Sequence, residues 1–227
     1  MSNSDGFIEE VTEELRRDQM MAKLKKYGWI GVLAVLLIVG GAAYSEYRQA
    51  QERAQAEGLG DVLLTALDMT AADQRATALG AVDAATPQAA ALVSLLAASA
   101  QASAGEVEAA IASLDAVSAN ADVAPMYREI AQFKALTLQA DTLDVAARKQ
   151  GFEALVSAGG ALRMLAQEQL ALIAVEEGDK SGAIAAYQAI LSDALVTPDL
   201  QQRAMQVIVA LGGEPDLTGA ATDVRNG

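Results

Sequence analysis

The chain contains no cysteine and no histidine, only four prolines among its 227 residues, and just 4% aromatic side chains. Without cysteine there are no disulfides and no thiolate nucleophile, so in an oxidising compartment the chain must fold on its core alone. Without histidine there is no imidazole base, no Ser-His-Asp triad and no ordinary zinc ligand set. A Ser-Lys dyad or paired carboxylates would be the remaining chemistry. Lys134 and Lys180 fall in helical segments with no serine in a nucleophile motif, and Ser181 merely follows Lys180 at a turn. Glu176, Glu177 and Asp179 cluster at a helix end, where a solvated turn is a commoner arrangement than a hard-cation site. Gly159-Gly160 has neither the following lysine nor the preceding strand of a phosphate loop. No catalytic, cofactor or metal site is expected, and the chain does not read as an enzyme.

Basic residues are also scarce: 16 Lys and Arg against 30 Asp and Glu, a net charge of −14. The stretch 1–26 holds five of the bases and six of the acids. The remaining eleven bases and 24 acids all lie beyond residue 45 and give that region −13. Such a region is repelled by nucleic acid and by anionic lipid, so no nucleic-acid partner is expected.

One long apolar run is present. Residues 27–45, YGWIGVLAVLLIVGGAAYS, carry no charge. At about 1.5 Å per helical residue they reach roughly 28 Å, close to the bilayer hydrocarbon thickness, and in lipid they must be helical. The run is expected to be one transmembrane helix. Lys23, Lys25 and Lys26 stand before it, and Tyr27, Trp29, Tyr44 and Tyr47 at its two edges suit the interface. The basic flank places the N-terminus in the cytoplasm and the long acidic region across the membrane. A cleaved signal peptide is the bland alternative. It is disfavoured by the long acid-rich lead, 1–26, and by an apolar core longer than signal sequences carry. Within that lead, residues 1–6 are polar and expected to be loose. Phe7, Ile8, Val11 and Leu15 then share one helical face, giving an amphipathic segment over 1–26.

Beyond the run the sequence is alanine-rich and helical in period, and it repeats. Thr86-Pro87 recurs as Thr197-Pro198 at an offset of 111, three times 37, and Pro125 lies between them. Threonine at the N-cap with proline at the first helical position is a helix start. GEVEAAI from Gly105 aligns with GDKSGAI from Gly178 at an offset of 73, which also pairs Leu114 with Tyr187 and Pro125 with Pro198. The spacing predicts helical hairpins at 48–68/71–84, 87–104/106–118, 125–140/143–157 and 161–177/179–192. A closing helix follows at 198–211. The first helix can run on from the apolar span. The tail 212–227 lacks periodicity and is expected to be disordered.

Gly178-Asp179, Ala183-Ile184, Tyr187 and Leu191 resemble the second half of a tetratricopeptide repeat, and Gly105, Ala110-Ile111 and Leu114 resemble a weaker version. The repeat is slightly longer here than in that family. The whole layout is that of an acidic start, EEVTEELRRDQMMAKLKKYGWI, then one span, then a tetratricopeptide-like domain over 46–211. It is similar to the YfgM-like ancillary subunits of the bacterial Sec translocon. That resemblance implies an all-α inner-membrane protein with a periplasmic α-solenoid. Its partners would be translocon subunits, periplasmic chaperones and exported proteins, and it would carry no catalytic residue.

A hairpin stack leaves a curved surface lined by the first helix of each pair. Leu165, Leu172 and Val175 share a face in the fourth hairpin; Leu92 and Leu95 take similar places in the second, and Leu138 in the third. Such a stripe is either core or an open apolar groove for a peptide, and an acidic rim would favour basic, partly unfolded clients. The expected function is a membrane-anchored interaction module in protein export. The alternative is a scaffold or assembly factor of another inner-membrane complex, such as division or respiratory machinery.

Overall fold

The computed structural model describes residues 4–216; of the side chains that precede Val35 it describes those of Lys25, Ile30 and Leu33. Among the described residues there are nine helices and no strand. They form two compact units, residues 1–61 and 62–227.

The first unit is the greater part of α1 (Ser4–Leu67). The helix begins at Ser4, inside the stretch whose polarity suggested a loose start. Its apolar side chains from Ile30 to Val39, where described, are all exposed. Among the described residues no helix is long and apolar enough to cross a membrane. Of the expected span, the side chains of 27–29, 31, 32 and 34 lie outside the described residues, as do those of Phe7, Ile8, Val11 and Leu15.

The second unit takes the end of α1 and eight further helices: α2 (Ala72–Gly80), α3 (Pro87–Ser103), α4 (Val107–Ala119), α5 (Pro125–Leu138), α6 (Val145–Ala158), α7 (Arg163–Glu176), α8 (Lys180–Leu191) and α9 (Pro198–Ala210). From α2 onward each helix packs chiefly on its neighbours in the chain, and α3 also touches α5. That is the pattern of stacked helical hairpins. Helices fall where the punctuation placed them, except that α2 stops at Gly80 rather than near residue 84.

The local chemistry explains the punctuation. Pro87, Pro125 and Pro198 occupy first-turn positions, and the Thr86 and Thr197 hydroxyls accept from the Ala89 and Leu200 amides at 3.2 and 3.3 Å. Gly105 and Gly178 close α3 and α7 with φ of +86° and +77°, a region that costs other residues about 1–2 kcal/mol. Each builds the same doubly bonded cap. Gly105 and Glu106 donate to Ala102 and Gln101, while Gly178 and Asp179 donate to Val175 and Ala174, all between 2.8 and 3.1 Å.

The offset of 73 therefore runs much further than its sequence signature. The buried set Ala98, Ala110, Leu114, Val117, Ala131 and Ala135 maps onto Ala171, Ala183, Tyr187, Ile190, Ala204 and Ile208, all buried. The turn before α5 also recurs before α9: Asn120 and Asp193 each accept, through Oδ1, the amide two positions on, at 3.0 and 2.9 Å.

Core clusters follow the chain, among them clusters spanning α3–α5, α5–α7 and α7–α9. At the α5–α6 contact Gly151 lies against Leu136, where an added Cβ would come within 2.7 Å of the leucine methyls. Phe133 and Phe152 meet edge to face with ring centroids 5.7 Å apart. The tail was expected to lose order from Gly212, yet residues 212–216 lie back on α8. Gln188 donates to the Glu214 carbonyl at 2.8 Å and accepts from the Asp216 amide at 3.2 Å. Residues 217–227 lie outside the described residues.

Candidate protein-interaction surface

The six expected groove residues do not share one environment. Leu92 on α3 and Leu165 on α7 are equivalent under the offset of 73 and are similarly exposed, at 39% and 36%. Leu172 is also exposed on α7, and Val175 is half-buried. Leu95 is core: it is 8% exposed and belongs to the α3–α5 cluster with Ala91, Ala98 and Leu114. Leu138 lines a concavity.

That concavity is a cavity of about 250 Å³ between α3 and α5, the first helices of successive hairpins. Ala98, Ser99 and Ala102 form one wall and Phe133, Lys134, Thr137 and Leu138 the other. Its origin is visible in the repeat. Where α3 has Ser99 and Ala102, α7 has Leu172 and Val175; where α5 has Lys134, α9 has Val207. Small residues leave the space in the first set, and a cation replaces an aliphatic side chain on its wall. The Ser99 hydroxyl donates to the Leu95 carbonyl at 3.0 Å and the Thr137 hydroxyl to the Phe133 carbonyl at 2.8 Å. Their protons are used inside their own helices, so Lys134 is the lining side chain with donors to spare. Sequence reasoning passed over Ala98 and Ala102 and weighed Lys134 only as half of a Ser-Lys dyad. A signal existed, since Ala98 and Lys134, like Ala102 and Leu138, are 36 residues apart, close to one repeat, and line the same cavity.

A second feature is a series of ion pairs crossing between helices. Arg148 and Lys149 on α6 reach Glu176 and Glu177 at the end of α7; the Lys149 pair is 2.7 Å long and raises the lysine pKa through its hydrogen bond. Arg163 grips Asp193 through two hydrogen bonds of 2.9 and 3.0 Å, and Arg203 grips Glu168 through two of 2.8 and 2.9 Å. The Arg163 guanidinium, helped by the Leu195 amide, holds the Asp193 carboxyl below its ordinary pKa. Asp179 is likewise lowered, first by the Gly182 amide and then by the Ser181 hydroxyl. Burial pushes the Tyr187 phenol up to about 12. The acidic turn around Glu176 and Glu177 is thus occupied by cations. Among the described residues no three acidic side chains converge as metal ligands would.

The expected membrane-interface residues fall in the first unit. Lys25, Tyr44 and Tyr47 are exposed, and the Tyr47 hydroxyl accepts from Gln51 at 3.3 Å. The side chains of Lys23, Lys26, Tyr27 and Trp29 lie outside the described residues. Comparison with protein-family models, with characterised proteins and with solved structures finds no match to this chain.

Proposed function

We propose that this chain is a membrane-anchored protein-interaction module, tethered through residues 27–45, whose hairpin stack receives exported proteins on the far side of a bacterial inner membrane. One observation carries the tether. Val35, Leu36, Leu37, Ile38 and Val39 are consecutive, and each is 59–71% exposed. Five successive residues at about 100° apart sweep the whole circumference of a helix, so the apolar belt has no polar face to turn to water. Hydrocarbon is the solvent such a belt suits, at about 1.5–3 kcal/mol for each large side chain removed from water. The basic flank at Lys23, Lys25 and Lys26 favours a cytoplasmic N-terminus.

The interaction role is supported by the stacked hairpins and their apolar recess, and the identity of the partners by the resemblance to YfgM-like translocon subunits. The tether raises the local concentration of the binding surface for any chain emerging from a channel in the same membrane. Photo-cross-linkers at Leu138, Leu165 and Leu172 in cells, followed by purification of the full-length protein, test the reading. Translocon subunits, periplasmic chaperones and a spread of exported proteins are expected, the exported proteins chiefly from Leu138 at the recess. A single unrelated assembly in fixed proportion would instead make the chain a dedicated scaffold.

A further inference from the structure

We infer that the α3–α5 cavity is a receptor for the C-terminal residue of a peptide, taking its apolar side chain inside and its α-carboxylate on the Lys134 ammonium, with basic residues upstream; the inference rests on the client-binding reading above. Size sets the first limit. A dry cavity of about 150 Å³ holds one benzene ring, so about 250 Å³ holds one large side chain and little more. Lining sets the second. Ala98, Ala102, Phe133 and Leu138 offer only apolar surface, and the Ser99 and Thr137 hydroxyl protons are already donated to helix carbonyls.

Charge sets the third limit. Lys134 is half-buried, forms no ion pair among the described residues, and stands where the related position in α9 is Val207. A half-buried lysine lining an apolar recess calls for an anion attached to an apolar group. The domain around it is strongly acidic, which repels a bare amphipathic anion such as a fatty acid at long range. A peptide terminus escapes that repulsion when Lys or Arg precedes it. Its upstream charges meet the acidic surface while its carboxylate meets the Lys134 ammonium.

The test uses full-length protein in lipid nanodiscs and the fluorescence anisotropy of a labelled lysine-containing peptide ending in leucine. The same peptide with a C-terminal amide and free decanoate serve as the comparison ligands. The free acid should bind about tenfold more tightly than the amide, the margin of one charge-assisted hydrogen bond. Lys134→Met should erase that margin and leave amide binding unchanged. The pair Ser99→Leu with Ala102→Val, which rebuilds the α7 residues, should abolish binding of both peptides while the thermal transition is kept or raised. Equal binding of acid and amide, or a margin that survives in Lys134→Met, overturns the inference. So does decanoate binding as tightly as the peptide, which makes the recess an acyl site. Absence of binding by any peptide overturns it as well, and leaves the client-binding reading to the in-cell cross-linking.

Discussion

The segments α3–α5 and α7–α9 share one plan at an offset of 73, yet they are held together differently. Leu95 and Ile130 lie in the apolar cluster of the first; the same positions in the second are Glu168 and Arg203, joined by two hydrogen bonds. Asn120 before α5 becomes Asp193 before α9, where Arg163 grips it. Ser99, Ala102 and Lys134 become Leu172, Val175 and Val207, and it is the first set that lines the cavity. One backbone therefore tolerates an apolar or an ionic solution at the same contact. What separates the two segments is a cavity lined by a cation in one and a girdle of ion pairs in the other.

The largest effect should come from the core they share. Leu114→Ala removes a fully buried side chain and should cost about 2–5 kcal/mol, with amide exchange rising first in α3–α5 because neighbouring hairpins in a stack contribute semi-independently. Next comes the contact at which they differ. The Glu168 side chain is 12% exposed and that of Arg203 is 49% exposed, so removing the arginine strands the more buried charge. Arg203→Ile should cost about 3 kcal/mol, Glu168→Leu less, and the pair Glu168→Leu with Arg203→Ile, which copies the first segment, should return near the parent stability. Urea unfolding of the four proteins checks the cycle.

Gly105→Ala and Gly178→Ala should each cost about 1–2 kcal/mol, and by equal amounts, since both hold the same left-handed cap. Unequal costs would mean the two caps are alike only in outline. The smallest effect is pH-dependent. The Asp193 carboxyl is lowered in the folded state, so its contribution is full above the ordinary carboxylate pKa and is lost as pH falls through the folded value. Asn120 cannot titrate. Exchange at acid pH should therefore rise in α7–α9 before α3–α5, and Asp193→Asn should reduce that asymmetry, leaving the part that the lowered Asp179 carboxyl carries.

Much of the hairpin plan was legible because its punctuation is chemical. Thr-Pro pairs start helices and glycines at positive φ end them, and both repeat at a fixed distance. The cavity was harder to read. Alanine and apolar residues surround α3 on nearly every side, so its sequence does not fix which face is inward, and the stripe through Leu95 reads as core or as groove; Leu95 itself is core. A recess made by small residues leaves no periodic signal; Ser99 and Ala102 acquire meaning only beside Leu172 and Val175. The ion pairs joining α6 to α7 and α7 to α9 depend on reach between hairpins, which spacing alone does not give. The first residues of the tail hold to α8 through a side-chain amide, Gln188, whose partners are backbone groups carrying no residue-specific mark.

The most direct measurement places a photo-cross-linker at Thr137, an exposed residue on the rim of the cavity, and at its counterpart Ala210, also exposed, in full-length protein expressed in cells. A membrane-anchored module that receives exported chains in the α3–α5 recess should yield a spread of exported proteins from position 137 and little from 210. Equal yields from the two positions, or no exported protein from either, would contradict it.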